Sequence, residues 1–269
     1  MKNRTFELRK EMLQHEDIMD RMNVIKNKYE GETAYIVAGG PSLNNYTHDY
    51  LRDKLSDKLV MTIKQSYNIF EELCDFHLLN FCNFCEYDFK DNHKTISAWV
   101  YFEQFHPQMI FDNNLRCDVM LPVFRNQAPG TAEERMQNTM ALKGDWENLD
   151  INNSIPRPWG PGTMYELAIP MALWLGVKKI VTVGWDIGDL NSFENGTEDN
   201  TQRVFQDHFY GKEDEDKIVY AKTSMGPYEI KIVAESTKGV YEYLQSRGID
   251  WEMVSDRNPG YEQIRRIEL

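Results

Sequence analysis

The sequence predicts an α/β protein with a mostly parallel sheet and helices on both of its faces. From Thr33 onward, strand-like runs alternate with helical ones, which is the pattern of a parallel sheet flanked by helices. Several of these runs are continuously apolar, so both faces of the sheet are expected to be covered. With 269 residues, the chain is long enough for one large domain and an appendage.

The predicted elements can be placed along the chain. Strands are expected at 33–39, 58–64, 75–81, 97–103, 118–124, 178–186 and 250–255. Helices are expected at 3–28, 47–55, 162–176 and 230–248, with Thr47 as an N-cap and Gly248 as a C-cap. Pro170 should kink the third helix or displace its start, because proline lacks an amide hydrogen. The polar excursion at 188–217 has the length of a lid or a binding loop.

These elements predict a helical extension at 1–30 and a single Rossmann-like nucleotide-binding domain at 31–269, with residues 188–217 as its lid. The N-terminal helix is expected to pack on this domain or to mediate a homo-oligomer, and the sequence favours neither.

Composition limits the classes of partner. The net charge of −13 argues against a broad contact with nucleic acid or an anionic membrane, although it does not exclude a local basic patch. No apolar run reaches eighteen residues and the N-terminal stretch lacks a signal-peptide core, so a soluble cytoplasmic protein without a membrane span is expected. Four cysteines fit a reducing compartment. The CNFC motif at 82–85 supplies two of about four zinc ligands, so we interpret it as packing.

The segment AGGPSL at 38–43 follows the first strand and is the first candidate binding loop. Gly39 and Gly40 would let the backbone approach a phosphate, Pro41 would stiffen the turn, and Ser42 would offer a hydroxyl. The loop matches neither a Walker A motif nor a dinucleotide fingerprint. A tight turn without a ligand is the alternative.

Other polar residues follow later strands and would meet this loop at the carboxyl edge of the sheet. Lys64 and Asn80 end the second and third strands, and Gly162 with Thr163 opens a helix whose free amides suit an anion. Asp186 ends a strong strand. It would bind a ribose or sugar hydroxyl, or a Mg²⁺ ion together with Asp189. Ordinary solvation of strand ends is the alternative.

The excursion at 188–217 contains His208 and Tyr210. A histidine in a polar loop over the carboxyl edge has a suitable pKa for a general base. The alternative is a surface histidine without a catalytic role.

In this order, the AGGPSL turn, the stretch GTMYELAIPMALWLGVKKIVTVGWD and the later HFYG resemble one superfamily. Its branches are the bacterial lipooligosaccharide sialyltransferases, the domain-of-unknown-function 115 group with the Maf-type flagellin glycosyltransferases, and the archaeal 6-hydroxymethylpterin pyrophosphokinases. The similarity spans roughly residues 33–255 in outline and is strongest at these three motifs.

The resemblance implies a role for each matched residue. It implies a donor-nucleotide site made of Gly40, Pro41, Ser42, Asn80, Gly162, Thr163 and Asp186, to which the strand-end positions of Gly39 and Lys64 add these two residues. His208 would be the base that deprotonates the acceptor, and Tyr210 would stabilise the departing phosphate. Lys64 stands where the family has an asparagine.

The function implied is a sialyltransferase-like glycosyltransferase. It would move a sugar from a nucleotide-sugar donor to a glycan or another hydroxyl acceptor, and the resemblance favours a CMP-linked donor. The transfer would invert the configuration at the sugar carbon and would need no metal cofactor. One alternative is a pterin-type diphosphotransferase with Mg²⁺ on Asp186 and Asp189. The other is a nucleotide-binding protein without catalysis.

Overall fold

The chain folds around a single parallel sheet. The computed structural model describes residues 2–79, 94–102, 116–124, 157–158, 163–186, 227–255, 257–258 and 261–269. Within these ranges nine strands form one sheet, and every pair of neighbouring strands is parallel. The predicted α/β class and the parallel, Rossmann-like sheet are therefore confirmed.

The seven predicted strands all form, each within a few residues of its expected bounds. The strands are β1 (Thr33–Val37), β2 (Leu59–Ile63), β3 (Phe76–Leu79), β4 (Ile96–Phe102), β5 (Val119–Phe124), β6 (Arg157–Pro158), β7 (Lys179–Val183), β8 (Asp250–Val254) and β9 (Arg265–Arg266). Their order across the sheet is β6, β5, β4, β3, β2, β1, β7, β8, β9. The sequence did not predict β6 and β9, which have two residues each.

The helices are α1 (Lys2–Met12), α2 (Ile18–Ile25), α3 (His48–Leu55), α4 (Ser66–Phe70), α5 (Ile169–Trp174) and α6 (Pro227–Ser246). The predicted N-terminal helical segment is confirmed, but it is divided into α1 and α2 instead of running through 3–28, because Asp17 starts α2 by accepting hydrogen bonds from the amides of Met19 and Asp20. The Thr47 cap is confirmed by its bond to the amide of Tyr50, and Gly248 has the left-handed φ of 70° expected of a C-cap. None of the described helices is both long and apolar enough to cross a membrane.

Pro170 lies at the start of α5, directly after a π-helical turn at Met164–Ala168. The amide of Ile169 donates to the carbonyl of Met164, five residues earlier, which is the wide spacing of a π turn. Because proline has no amide hydrogen to donate, the wider turn just before it accommodates the missing bond. The expected disturbance of this helix therefore takes the form of a π turn.

Two apolar clusters cover the two faces of the sheet. Along β1, Ala34 and Ile36 belong to the cluster built with α1, α2, α5 and α6, whereas Val37 belongs to the one built with α3 and α4. Alternate side chains of a strand point to opposite faces, so this division shows a sheet buried on both sides. The prediction of helices on both faces is confirmed.

The N-terminal helices are part of the same folded unit. The hydroxyl of Thr5 in α1 donates to Asp75, at 2.6 Å, in front of β3. Arg9 forms two hydrogen bonds with the carboxylate of Asp118, at 3.0 and 3.1 Å. Burial raises the pKa of Asp118, but the hydrogen bond from Arg9 and the charge of Arg116 outweigh it, so that the net shift is downward. Both contacts lie at the amino ends of the strands, away from the carboxyl edge.

The strand order places a topological switch point between β1 and β7. From β1 the chain runs outward through β2 to β6, and it then returns to the other side of β1 as β7 and β8. Ligands of open α/β sheets bind outside the carboxyl ends of the strands at such a point. The residues that follow β1 and β7 are therefore the first candidates for a site.

Candidate functional site

The turn after β1 is joined closely to the end of β7. The amides of Ala38 and Gly40 donate to the carbonyls of Val183 and Gly184, at 2.9 and 2.8 Å. A Cβ atom on Gly40 would lie 2.4 Å from the Gly184 oxygen and 2.5 Å from a carboxylate oxygen of Asp186. Only glycine fits at this position, and the reason is the approach of β7 rather than that of a ligand.

Asp186 connects the ends of three strands. Its carboxylate accepts hydrogen bonds from the amide and the hydroxyl of Ser42, at 2.6 and 2.8 Å, and from the hydroxyl of Ser255 after β8. The side chain is 9% exposed, and such a buried carboxylate requires these donors. Both donors of Ser42 are thus engaged with Asp186, so neither is available to the phosphate that the sequence assigned to this turn.

Gly39 differs from its neighbours in this turn. Its backbone is partly exposed, and its amide has no hydrogen-bond partner among the residues that the structure describes. The turn continues as a 3-10 helix at Pro41–Asn45. Of the turn's amides, that of Gly39 is therefore the one placed to bind an anion.

Two strands beside β1 and β7 add polar groups. Lys64 follows β2 and is partly exposed, and its backbone has a left-handed φ of 54°. After β8, Asn258 donates a side-chain hydrogen bond to the carbonyl of Trp185 at 2.7 Å. Neither Ser255 nor Asn258 was predicted from the sequence as a site residue. Both residues follow β8, and this position is the sequence feature that could have indicated them. That β8 lies beside β7 is known only from the strand order of the sheet.

The helix that returns from β6 to β7 begins near the same edge. Its helical run, Thr163–Trp174, is roughly 18 Å long, which is close to the length of a five-residue strand. A helix that connects the carboxyl end of one parallel strand with the amino end of another starts at the carboxyl edge. The π turn at Met164–Ala168 packs against β2, β3 and β4. Thr163 therefore lies on the β2 side of the switch point.

The hydroxyl of Thr163 is the most informative group of the site. Thr163 is 5% exposed, and its hydroxyl has no hydrogen-bond partner among the described residues. Buried hydroxyls are almost always paired, because an unpaired one costs about 1–3 kcal/mol. Thr163 begins the helical run, and the amides at a helix N-terminus carry a partial positive charge. A polar or anionic ligand would pair with both.

An aromatic cluster packs around Trp185, which follows the end of β7. Trp185 packs edge-on against Tyr165 and stacks on Trp251, with ring centroids 5.5 and 5.7 Å apart. The hydroxyl of Tyr165 is paired with that of Thr237, at 2.5 Å, and burial raises the pKa of this tyrosine. The cluster links the helix of Thr163 to the segment after β7 that contains Asp186.

The remaining predicted residues lie outside the described part of the chain. They are Asn80, Gly162, Asp189, His208 and Tyr210, together with the CNFC motif and the lid at 188–217. Within the described part, no group of three or more histidine, cysteine, aspartate or glutamate side chains could hold a metal ion. The predicted site residues that the structure describes at this edge of the sheet are thus Gly39, Gly40, Ser42, Lys64, Thr163 and Asp186.

Comparison of the chain with models of known protein families gives no match, and comparison with curated proteins gives none either. The resemblance to the sialyltransferase superfamily stays a prediction from the sequence motifs. The fold and the geometry at the switch point stand independently of it.

Proposed function

We propose that this chain is a nucleotide-dependent glycosyltransferase that binds the phosphate of a nucleotide-sugar donor at the carboxyl edge of β1 and β2. The observation that carries the proposal is the buried hydroxyl of Thr163 at the start of a helix, which no described residue pairs. A phosphate oxygen is a strong acceptor for a hydroxyl and for the amides of a helix N-terminus. The identity of the transferred group, a sugar, rests on the sequence resemblance.

The described residues would divide the work of donor binding. Thr163 and the amide of Gly39 would donate to the phosphate, and the ammonium group of Lys64 would offset its charge. Asp186 would hold the turn through Ser42 instead of touching the nucleotide, because its carboxylate already accepts three hydrogen bonds. Donors fixed before the reaction stabilise the charge that develops on a leaving phosphate.

The chemical step would be a single displacement at the sugar carbon. A base removes the proton of the acceptor hydroxyl, the new carbon–oxygen bond forms, and the bond to the donor phosphate breaks with its electron pair on the phosphate oxygen. The resemblance assigns the role of the base to His208. It also implies that Tyr210 stabilises the leaving phosphate by donating a hydrogen bond to it. The configuration at the sugar carbon is inverted because the attack occurs once.

Nucleotide binding is the first test. Calorimetric titration with CMP, UDP, GDP and ATP should give saturable binding of at least one nucleotide. Thr163→Val removes the hydroxyl but keeps the shape, and it should weaken that binding by roughly tenfold without loss of stability. Thr163→Ser should retain binding.

The control is Thr182→Val, since the hydroxyl of Thr182 in β7 is buried but engaged with Trp251 and Glu252. This variant should lose stability while keeping its nucleotide affinity. Equal affinity of the wild type and Thr163→Val would remove the main support for the proposed site.

The catalytic half has its own test. Transfer of sugar from CMP-, UDP- and GDP-linked donors to a panel of glycan acceptors should be lost in His208→Ala, while nucleotide binding persists. Insensitivity to EDTA is expected, whereas loss of activity that Mg²⁺ restores would favour the diphosphotransferase. Binding without turnover of any donor would favour a non-catalytic nucleotide-binding protein.

A further inference from the structure

Lys64, directly after β2, has a backbone conformation that is unfavourable for lysine. Among the described residues, Asn27 is the other non-glycine residue with a positive φ. Asparagine visits this region readily because its short amide bonds to nearby backbone, but lysine lacks this aid and its Cβ is crowded. Such a conformation persists only where neighbouring groups hold it, and residues of this kind concentrate at functional sites.

Both backbone polar groups of Lys64 are held in place. Its amide donates to the carbonyl of Leu78 at 3.0 Å, and its carbonyl accepts from the amide of Tyr67 at 3.2 Å. The same carbonyl lies 2.9 Å from Nε2 of His77. The rings of Tyr67 and His77 stack, with centroids 4.2 Å apart and 10° between their planes. The left-handed turn is thus fixed from β3 and from α4.

His77 serves this contact as a neutral donor. It is 3% exposed, and burial lowers its pKa to about 3, so the ring is uncharged near neutral pH. A carbonyl oxygen only accepts, so Nε2 must carry the ring hydrogen. The neutral ring donates to the backbone of Lys64 without adding a positive charge at this contact.

The sheet register brings Lys64 next to the turn after β1, which contains Gly39. Val37 of β1 is paired with Thr62 of β2, and Gly39 and Lys64 each follow two residues later. Both are partly exposed at the carboxyl edge. The chain carries a net charge of −13, so a cation at this edge would offset the repulsion that the protein as a whole exerts on an anion.

We propose that the ammonium group of Lys64 binds the donor's phosphate and that His77 is the positioning residue that holds Lys64 in its left-handed conformation for this contact. The proposal rests on the proposed function, since it names a further part of the same site. It assigns His77, a strand residue without an expected role, to ligand recognition through Lys64. The carbonyl of Lys64 would remain bound when a ligand enters, and only the side chain would move.

The experiment compares a probe made only of phosphate with one that has none. Pyrophosphate, CMP and cytidine are titrated by calorimetry into the full chain and into four variants. Lys64→Gln removes the charge, and His77→Phe keeps the ring but not the donor. His77→Gln keeps a donor that can reach the carbonyl. Lys178→Gln is the control, because Lys178 is exposed at the amino end of β7.

Lys64→Gln and His77→Phe should each weaken the binding of pyrophosphate and of CMP by roughly tenfold or more, while the affinity for cytidine stays unchanged. His77→Gln should recover part of the loss, and Lys178→Gln should match the wild type. If His77 had only a structural role, His77→Phe would weaken the binding of cytidine and of CMP equally. That result would overturn the role of His77 as a positioning residue for Lys64. If His77→Phe does not fold, the test passes to His77→Gln, whose affinity for pyrophosphate must lie between that of the wild type and that of Lys64→Gln. Wild-type affinity for pyrophosphate in Lys64→Gln would overturn the phosphate contact.

The two proposals fail differently. Wild-type protein that binds pyrophosphate in this pattern but binds no nucleotide would refute the nucleotide-dependent function and leave the Lys64 site standing. Nucleotide binding that is lost in Thr163→Val but unchanged in Lys64→Gln would support the nucleotide-dependent function and refute the Lys64 site. Wild-type protein that binds neither pyrophosphate nor any nucleotide would overturn both.

Discussion

The carboxylate of Asp186 accepts hydrogen bonds from both the amide and the hydroxyl of Ser42, 144 residues earlier in the chain. The contact turns the first loop toward β7 and joins the two sides of the switch point. Asp186 therefore acts here as the anchor of the loop. This arrangement distinguishes the site from one in which the aspartate binds the ligand directly.

Asp186→Asn should destabilise the fold by about 2–4 kcal/mol, because an amide nitrogen would face donors that now meet a carboxylate oxygen. Urea denaturation gives the loss in the free energy of unfolding. Asp53→Asn on the exposed side of α3 is the matched control and should change little. A stable Asp186→Asn protein that no longer binds nucleotide would instead identify Asp186 as a ligand contact.

Gly40→Ala should cost about 1–3 kcal/mol through overpacking, since its Cβ would meet backbone and carboxylate oxygens at 2.4 and 2.5 Å. The φ of Gly40 is −76°, so the cost does not come from backbone strain. Gly248→Ala is the opposite case, with a φ of 70° and nothing within 4 Å of the added atom, and should cost about 1 kcal/mol. Thermal or urea unfolding compares them, and a harmless Gly40→Ala would contradict the close approach of β7.

The strands were predictable because their signal is local. Short segments of four to seven mostly apolar residues form β1 to β5, β7 and β8. β6 contains a proline and pairs through two residues, so its place is set by β5 and not by its own sequence. The break between α1 and α2 had a readable signal in the capping side chain of Asp17, which a long helical pattern concealed.

The candidate site was only partly predictable, because its decisive contacts join distant parts of the chain. Gly40 and Asp186 could be recognised as strand-end residues, but nothing local shows that Asp186 takes both donors of Ser42. His77 looks like an ordinary strand residue, and its bond to Lys64 depends on the pairing of β2 with β3. That no described residue pairs with the hydroxyl of Thr163 is a property of the packed structure.

Lys64→Gly should be more stable than Lys64→Ala by about 1 kcal/mol, because glycine adopts a φ of 54° without a Cβ clash whereas alanine keeps the strain. Both variants lack the ammonium group, so both should lose phosphate affinity equally. Urea denaturation and pyrophosphate titration of the pair separate these effects. If alanine were as stable as glycine, the left-handed conformation of Lys64 would not be strained.

The neutral state of buried His77 should make the fold sensitive to acid. Its pKa falls from 6.5 to about 3 on folding. Between these values the unfolded chain binds a proton that the native chain does not, so the free energy of unfolding falls as the pH is lowered. The slope from this one group reaches about 1.4 kcal/mol per pH unit.

Substitution of His77 should therefore flatten the acid side of the stability profile. In His77→Gln, the fall in unfolding free energy from about pH 7 to about pH 5 should be smaller than in the wild type by roughly 1–2 kcal/mol. His15→Gln, which changes an exposed histidine, is the matched control variant. Urea denaturation at several pH values measures these slopes. An unchanged slope in His77→Gln would mean that His77 binds its proton equally in both states, and the neutral donor that holds Lys64 would then be excluded.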